Sequence, residues 1–363
     1  MESVVNPWEV KGDINYEKLM QDFGIQPFSE KPDHLLFRRN IIYGQRDFQR
    51  IMECIKNKQP FVLLTGLMPS GKFHFGHMFV AQQIILYQAL GAKIYLCVAD
   101  VEAYNTRLAD LEELRKIAIE EYLTNYIALG LKPKNCDFYF QSERSRDANK
   151  SNKYYNLAGI AARHVTQNEI NAIYGEINPA KISSALLQVS DILHPQLIEG
   201  PIPTIVPVGF DQDPHIRLAR DIVQRMSQFN FIQVSSTYHK FLPGLKGGKM
   251  SSSDPTSYIA MTDSVEIAAE KIKKHAFSGG RNSLEEHRKL GGVPEIDISF
   301  QYLRCFLEPN DKKLAKIEEQ YKSGKLLSGE LKQTTIDLLI KFLEHHQEQR
   351  EKAVNKIDKF LKN

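Results

Sequence analysis

Between residues 59 and 262, short apolar runs alternate with stretches of helical periodicity. Phe61–Thr65 is a continuous apolar run of the buried-strand type, and a Gly/Pro/Ser turn follows it. Apolar positions then recur at helical spacing from about 76 to 90 and stop at Gly91. Lys93–Ala99 predicts a second strand, Asp110 to about Leu129 a charged amphipathic helix, and Asp137–Phe140 a third strand. Residues 144–200 carry mostly helical periodicity. Ile202–Val208 returns to strand character and leads through the polar turn Gly209–Pro214 into a helix ending near Arg225. Phe231–Ser235 predicts one more short strand. Helical stretches are also expected at 16–23 and 45–57. From about 264 onward the pattern is helical, broken by glycines at 278–280 and 291–292.

Strands and helices that alternate at this spacing predict an α/β fold, a Rossmann-like parallel sheet with right-handed crossovers. The expected organisation is an N-terminal extension at 1–58, a catalytic domain at 59–262 with a helical insertion at about 144–200, and an all-helical domain at 263–363. No internal repeat or low-complexity tract interrupts it.

Composition narrows the class. The chain has 363 residues, 42% hydrophobic and 25% charged, as in an ordinary soluble globular protein. Residues 1–10 have no secretory pattern, and nowhere do about 18 apolar residues run together. Cys54, Cys97, Cys136 and Cys305 are widely spaced with no C-x-x-C pair. That argues against a zinc ribbon or a disulfide framework and fits a reducing cytoplasm. A net charge of +3 permits nucleic-acid binding only through a local concentration of basic residues.

The chemistry-bearing stretch is Thr65-Gly-Leu-Met-Pro-Ser-Gly-Lys-Phe-His74-Phe-Gly-His77. Gly66 to Lys72 has the spacing of a phosphate-binding P-loop, but the residue after the Lys is Phe73, which has no hydroxyl for Mg²⁺. A plain glycine-rich turn joining strand to helix would also account for the glycines. A third reading uses more of the residues. His74 and His77 sit where a helix opens, and N–H groups and the positive dipole end there favour phosphate. Gly76 leaves room for an approaching nucleotide. Far downstream, Gly247-Gly-Lys249-Met250-Ser251-Ser252-Ser253 supplies a flexible lead, a mobile cation and small hydroxyls, as a loop closing over a triphosphate requires. Alone it would pass for a solvated surface loop.

These two stretches resemble the HIGH and KMSKS signatures of class I aminoacyl-tRNA synthetases. Gly209-Phe-Asp211-Gln212 and Gln188-Val-Ser-Asp191-Ile resemble two further motifs of the tyrosyl/tryptophanyl subclass. By themselves these two would read as a capping turn and a solvated helix face. The stretches "NPWEV" (6–10), "FLPGLKGGKMSSSDP" (241–255), "KHAFSGGRNSLEEHRKLGG" (274–292), "DISFQYLRCFLE" (297–308) and "SGELK" (328–332) are similar to the archaeal and eukaryotic branch of the tryptophanyl-tRNA synthetase family. The likeness covers nearly the whole chain.

The resemblance implies ATP, L-tryptophan and tRNA(Trp) as substrates, Mg²⁺ accompanying ATP, no protein-held metal, a homodimer and a cytoplasmic setting. It implies that His74, His77 and Lys249 are catalytic and that Gly66, Ser70, Gly76, Asp211, Met250, Ser251 and Ser252 bind ATP. Leu64, Cys97, Glu102, Gln188, Asp191 and Gln212 would surround tryptophan. Phe277 and Arg281 would meet tRNA, with Lys271, Lys273, Lys274 and Arg288 as further phosphate contacts, although each also suits a solvated helix face. Eukaryotic members read the indole N–H with a Tyr and a Gln, and here those positions are Leu64 and Cys97. Asp191 is the expected substitute acceptor, with a cap or ion pair elsewhere as its other possible role. A protein that kept the fold and lost the chemistry is the competing class. Retention of His74, His77, Lys249 and Asp211 argues against it.

Overall fold

The computed structural model describes residues 4–6, 9–11, 15–107, 110–248, 250 and 254–361. Strands β1 (Val4–Asn6) and β2 (Glu9–Lys11) pair as an antiparallel hairpin. The main sheet contains β3 (Ile42–Arg46), β4 (Val62–Leu67), β5 (Lys93–Val98), β6 (Cys136–Phe140), β7 (Thr204–Gly209) and β8 (Ser235–His239). Its order is β3-β8-β7-β4-β5-β6. All neighbours are parallel except β3 and β8, which run antiparallel at one edge.

From β4 the chain crosses to β5 and then β6 on one side, whereas β7 and β8 lie on the other, so the strand order reverses between β4 and β7. The β4–β7 ladder has only the pairs Val62↔Thr204 and Leu63↔Ile205. Beyond them the strands part, and a crevice opens at their C-terminal ends, where open α/β sheets bind ligands.

Two expectations are corrected. The last strand is Ser235–His239 rather than Phe231–Ser235. The backbone N–H and C=O of Ile232 are both taken by the Gln196 side chain, at 2.8 Å each, so this segment is pinned by an amide instead of a ladder. The true strand is polar yet wholly buried. Its hydroxyls are satisfied locally: Ser235 donates to Asp47 O at 2.8 Å and Thr237 to Gln83 Oε1 at 2.9 Å. The expected helix at 45–57 is also split. Ile42–Arg46 pairs with β8, and the helix begins at Phe48.

Side chains alternate across the sheet with the two-residue period of a strand. Leu63 enters one apolar layer with Phe79, Ile84 and Leu96. Val62 and Leu64 enter the other with Tyr95, Tyr154, Ile192 and Val206. The first layer continues unbroken into the helical C-terminal region through Phe75, Tyr302, Leu303 and Leu339. The Pro179–Leu193 helix covers the second layer. Asn178 caps it by accepting from Lys181 N, and Pro179 occupies its first turn, where the missing N–H is no loss.

Burial lowers four histidines, His74, His215, His239 and His346, to about 4. His77 and His194 fall well below their ordinary value, chiefly for the same reason. In the unfolded chain each titrates near 6.5, so below that pH the unfolded state binds more protons. Stability is therefore complete above about pH 6.5 and declines as the pH falls toward 4, at about 1.4 kcal/mol per pH unit for each such group. A circular-dichroism melting series should show a constant melting temperature from about pH 8 to 7 and a steep fall below about pH 6. A flat profile down to pH 4.5 would contradict it.

Candidate active site

The crevice between β4 and β7 widens into a cavity of about 440 Å³. One end is walled by Leu64, Glu102, Gln141, Gln188, Asp191 and His215. The other is walled by Val80, Gly209, Asp211, His239 and Phe241. Gly66 and Gln212 line it as well. A mixed cavity of this size, with a few convergent polar groups, suits a small ligand.

The signature turn runs on from the cavity-lining Met68, although His74, Gly76 and His77 are not themselves among the lining residues. His74 caps the one-turn helix Phe75–His77 that leads into Met78–Ala89. Its Nδ1 accepts from Gly76 N–H at 3.0 Å, and His77 Nδ1 accepts from His74 N–H at 3.1 Å. Each ring is thus the tautomer with its proton on Nε2. Burial keeps both neutral at pH 7, so they offer hydrogen bonds and not full charges. The His74 ring stacks between His77, at 4.0 Å, and Tyr258, at 4.7 Å. A Cβ on Gly76 would stand 2.8 Å from His74 Cε1 and 3.1 Å from Met250 Sδ, so only glycine fits there. Beneath the turn, a π-helical segment at Ala118–Leu123 presents Glu121 and Tyr122. Glu121 accepts from Lys72 Nζ at 2.9 Å and from Phe73 N at 3.3 Å. Tyr122 OH accepts from Ser70 N at 3.4 Å. The lysine of the P-loop-like spacing is therefore an ion-pair partner of Glu121. Ser70 stands in the turn and not among the cavity-lining residues.

At the other end, Asp191 is 6% exposed and receives four hydrogen bonds. Tyr139 OH and Tyr154 OH donate to Oδ1 at 2.9 Å each, and the Cys97 thiol donates to the same oxygen at 3.2 Å. Gln141 Nε2 donates to Oδ2 at 2.8 Å. Burial pushes the carboxyl pKa up, and these donors pull it back. Burial and the Asp191 charge push the two phenols and the thiol well up, so all three keep their protons. Oδ1 is crowded, and Oδ2, with one donor, has acceptor capacity left. Among the described residues Asp191 neither caps its helix nor joins an ion pair.

Gln141 Oε1 also accepts from Glu102 N–H at 3.2 Å, which ties the two acids together. Gln188 Nε2 donates to Glu102 Oε2 at 2.8 Å, and Gln188 Oε1 has no partner among the described residues. In the Phe210–Gln212 turn, Gln212 Nε2 reaches Asp211 Oδ2 at 3.4 Å. Gly209 also allows a close approach. A Cβ there would meet Asp211 Oδ1 at 2.6 Å and the Phe241 ring at 3.1 Å.

A sequence profile of tRNA synthetases class I (W and Y) matches residues 56–344. The chain belongs to this family. A tryptophan–tRNA ligase of Methanocaldococcus jannaschii is 44% identical over 96% of this chain and 95% of its own. One from Aeropyrum pernix is also 44% identical, over 96% and 95%. The crystal structure of the Aeropyrum pernix tryptophanyl-tRNA synthetase superposes with a TM-score of 0.89 at 43% identity, covering 95% of this chain and 96% of that one. A product-bound parasite tRNA synthetase gives 0.87 at 30% identity, over 96% of each chain.

Of the residues expected to form this synthetase's site, Leu64, Gly66, Glu102, Gln188, Asp191, Asp211 and Gln212 line one cavity. Cys97 stands behind its wall, fully buried on β5, with its thiol on Asp191. Lys249, Ser251 and Ser252 lie outside the described residues. On the helical side, Phe277 is 49% exposed, and the Arg281 Nε donates to Gly291 O at 2.8 Å. Lys271 differs from expectation. Its ammonium is committed to Asp263 at 2.6 Å and Tyr258 O at 3.1 Å, so it is no free phosphate contact. Lys274 pairs with Glu270, and Arg288 holds Gly324 O and Lys325 O.

Sequence reasoning missed Gln141, Tyr139, Tyr154 and the group behind them. Only Gln141 left a signal, its place just past the C-terminal end of β6. Arg144, whose side chain is fully buried, pairs with Asp137 at 2.9 Å. It donates to His194 Nε2 at 2.8 Å and lies 4.1 Å from the Tyr139 ring centroid. It thus backs the phenol that holds Asp191. Arg144→Ala would leave Asp137 buried with Lys150, at 3.5 Å, as its remaining cation among the described residues. Urea denaturation should show a loss of about 3–5 kcal/mol, the range for removing one partner of a buried pair. A loss below about 1 kcal/mol, the value of an exposed pair, would refute that role.

Proposed function

We propose that this chain is a tryptophan–tRNA ligase: it joins L-tryptophan to ATP as tryptophanyl-adenylate, releasing pyrophosphate, and transfers the amino acid to the 3′ end of tRNA(Trp). The observation that carries tryptophan over tyrosine is the buried Asp191, a single acceptor set in a pocket whose β4 wall is the apolar Leu64. An indole needs one acceptor and an apolar wall. A site built around a phenol would be expected to address a hydroxyl that both donates and accepts.

In this reading the indole N–H binds Oδ2 of Asp191, and Leu64 and Cys97 pack near the ring without reading it. Glu102, Gln188 and Gln212 hold the ammonium group. The tryptophan carboxylate attacks the α-phosphorus in line, and the electron pair of the breaking P–O bond leaves with pyrophosphate. No enzyme nucleophile is needed, so catalysis consists of positioning and charge stabilisation. His74 and His77 donate from Nε2–H to phosphate oxygens at the helix start. Lys249 stabilises charge on the departing pyrophosphate, and Ser251 and Ser252 follow it onto the phosphates. Asp211 holds the ribose. Gly66, Ser70, Gly76 and Met250 shape the nucleotide's approach. Mg²⁺ accompanying ATP would supply neutralisation of phosphate charge.

We further infer the division into 1–58, 59–262 and 263–363, with the helical part meeting tRNA through Phe277 and Arg281. We also infer a homodimer in the cytoplasm. Exposed Tyr104, Tyr155 and Ile160 offer apolar surface of the kind a dimer covers. Among the described residues no helix is long and apolar enough to cross a membrane.

Amino-acid-dependent exchange of pyrophosphate into ATP tests the reading. Exchange is expected with tryptophan and much less with tyrosine. Equal or greater exchange with tyrosine would overturn the specificity, and none with any amino acid would overturn the activity. Asp191→Ala should lower the ratio of kcat/KM for tryptophan over phenylalanine by about 10-fold or more, since an unpaired buried N–H costs about 1–3 kcal/mol. The ratio is the proper readout because the substitution also orphans four donors, and a smaller active fraction cancels from it. An unchanged ratio would refute the assignment.

A further inference from the structure

His239 ends β8, and in the sheet its Cα partner on β7 is Gly209. Its ring lines the same end of the cavity as Gly209, Asp211 and Phe241. No role falls to it in the reaction described above. Its surroundings nevertheless fix which of its nitrogens carries the proton.

Gln83, on the Met78–Ala89 helix, is fully buried beside it. Gln83 Nε2 lies 3.2 Å from the carbonyl oxygen of Phe79. A carbonyl only accepts, so the nitrogen end of the amide must face that way. The oxygen end then accepts from Thr237 Oγ1 at 2.9 Å, another fully buried group. With the amide oriented from both ends, Nε2 is also the atom 3.4 Å from His239 Nδ1. Nδ1 is therefore the acceptor, and the ring proton is on Nε2. Burial holds the ring neutral at pH 7. Among the described residues Nε2 has no partner.

We propose that His239 donates a hydrogen bond from Nε2–H to an acceptor atom on the adenosine part of bound ATP, in the tautomer set by Gln83. This rests on reading the Asp211 end of the cavity as the nucleotide end. The chemistry is complementary. Asp211 accepts from a sugar hydroxyl, Val80 and Phe241 offer apolar faces, and His239 adds a neutral donor for the oxygens and ring nitrogens of an adenosine, the Gln212 amide beside it being turned to Asp211. Thr237 and Gln83 are positioning residues: they touch no ligand and act through the imidazole.

The experiment is steady-state pyrophosphate exchange on the full chain, with His239→Met and His239→Gln compared. Both replacements have about the same length, but only glutamine can donate. His239→Met should raise the KM for ATP by about 5–10-fold, the worth of one hydrogen bond of about 1 kcal/mol or slightly more, with the KM for tryptophan changed by less than about twofold. His239→Gln should recover most of that loss. Gln83→Met, which frees the tautomer, should raise the KM for ATP in the same direction by a smaller factor. Melting temperatures identify variants that are merely misfolded, and His239→Ala serves if the methionine variant does not fold. A folded variant without a donor whose KM for ATP stays within twofold of the parent would overturn the proposal. So would equal rises in KM for ATP and tryptophan, or failure of glutamine to restore what methionine loses. If the parent protein exchanges no pyrophosphate with any amino acid, it is the functional reading that fails, before any variant is compared.

Discussion

The site exists because β4 and β7 stay together for only two register pairs. In a parallel sheet the strands run side by side until something ends the ladder. Here the ladder stops at Leu63↔Ile205, with four residues of β4 and four of β7 still to come. Beyond that point the two strands no longer pair with each other, and residues of both line a crevice. Leu64, Thr65 and Gly66 form one bank, and Val206, Val208 and Gly209 the other. The turn on the β7 side then carries Asp211 and Gln212 into the cavity, and the turn on the β4 side leads from its Met68 to His74 and His77. Chemistry drawn from residues over a hundred positions apart converges because of where one ladder ends.

A crevice lined by apolar strands has a low dielectric, and this decides how its polar groups must be treated. An isolated buried carboxylate is costly. Asp191 is tolerated because two phenols, a thiol and an amide point at it. The thiol belongs to Cys97, one of the two positions where the expected indole-reading residues are missing. At this position the side chain is a short one, and its thiol donates to Asp191. Arg144 stands one layer further back, with its positive charge over the Tyr139 ring. The Asp191 end is thus a polar assembly whose donors come from separate parts of the chain.

How much of this was legible depended on sequence separation. The signature turn was readable because its residues act within one turn of each other: His74, Gly76 and His77 fix each other's geometry locally. That Asp191 and Gln188 would face one pocket was readable from their spacing of one helical turn. The four donors to Asp191 were not, since they come from β5, β6, the residue after β6 and a separate helix, and nothing in a phenol's neighbours announces what it will touch. The same limit applied to β8. Ser-Ser-Thr-Tyr-His lacks the apolar alternation of a strand, because its hydroxyls are satisfied by Asp47 and Gln83, distant in sequence. Lys271 illustrates the converse error. A lysine on a helix face looks free until Asp263 and the carbonyl of Tyr258 are brought beside it.

The same packing bears on how far the nucleotide site can act independently of the helical region. Phe75, the apolar member of the signature, is fully buried, with ring centroids of Tyr302, Phe306 and Phe342 at 5.2, 5.5 and 5.4 Å. The Ser328–Val354 helix that carries Phe342 also holds Asn125 through His346 at 2.7 Å and Asp263 O through Gln347 at 2.8 Å. It therefore touches the segment under the histidine turn and the chain just past the serine-rich loop. Aromatic packing of this density does not deform continuously, so a shift of that helix must displace Phe75 or be resisted by it. Because Phe75 lies between His74 and His77, any displacement moves the two Nε2–H donors with it. Adenylate chemistry and the placement of the C-terminal helices are consequently properties of one packed unit, and a substitution at Phe342 or His346 acts on the histidine turn without touching a substrate.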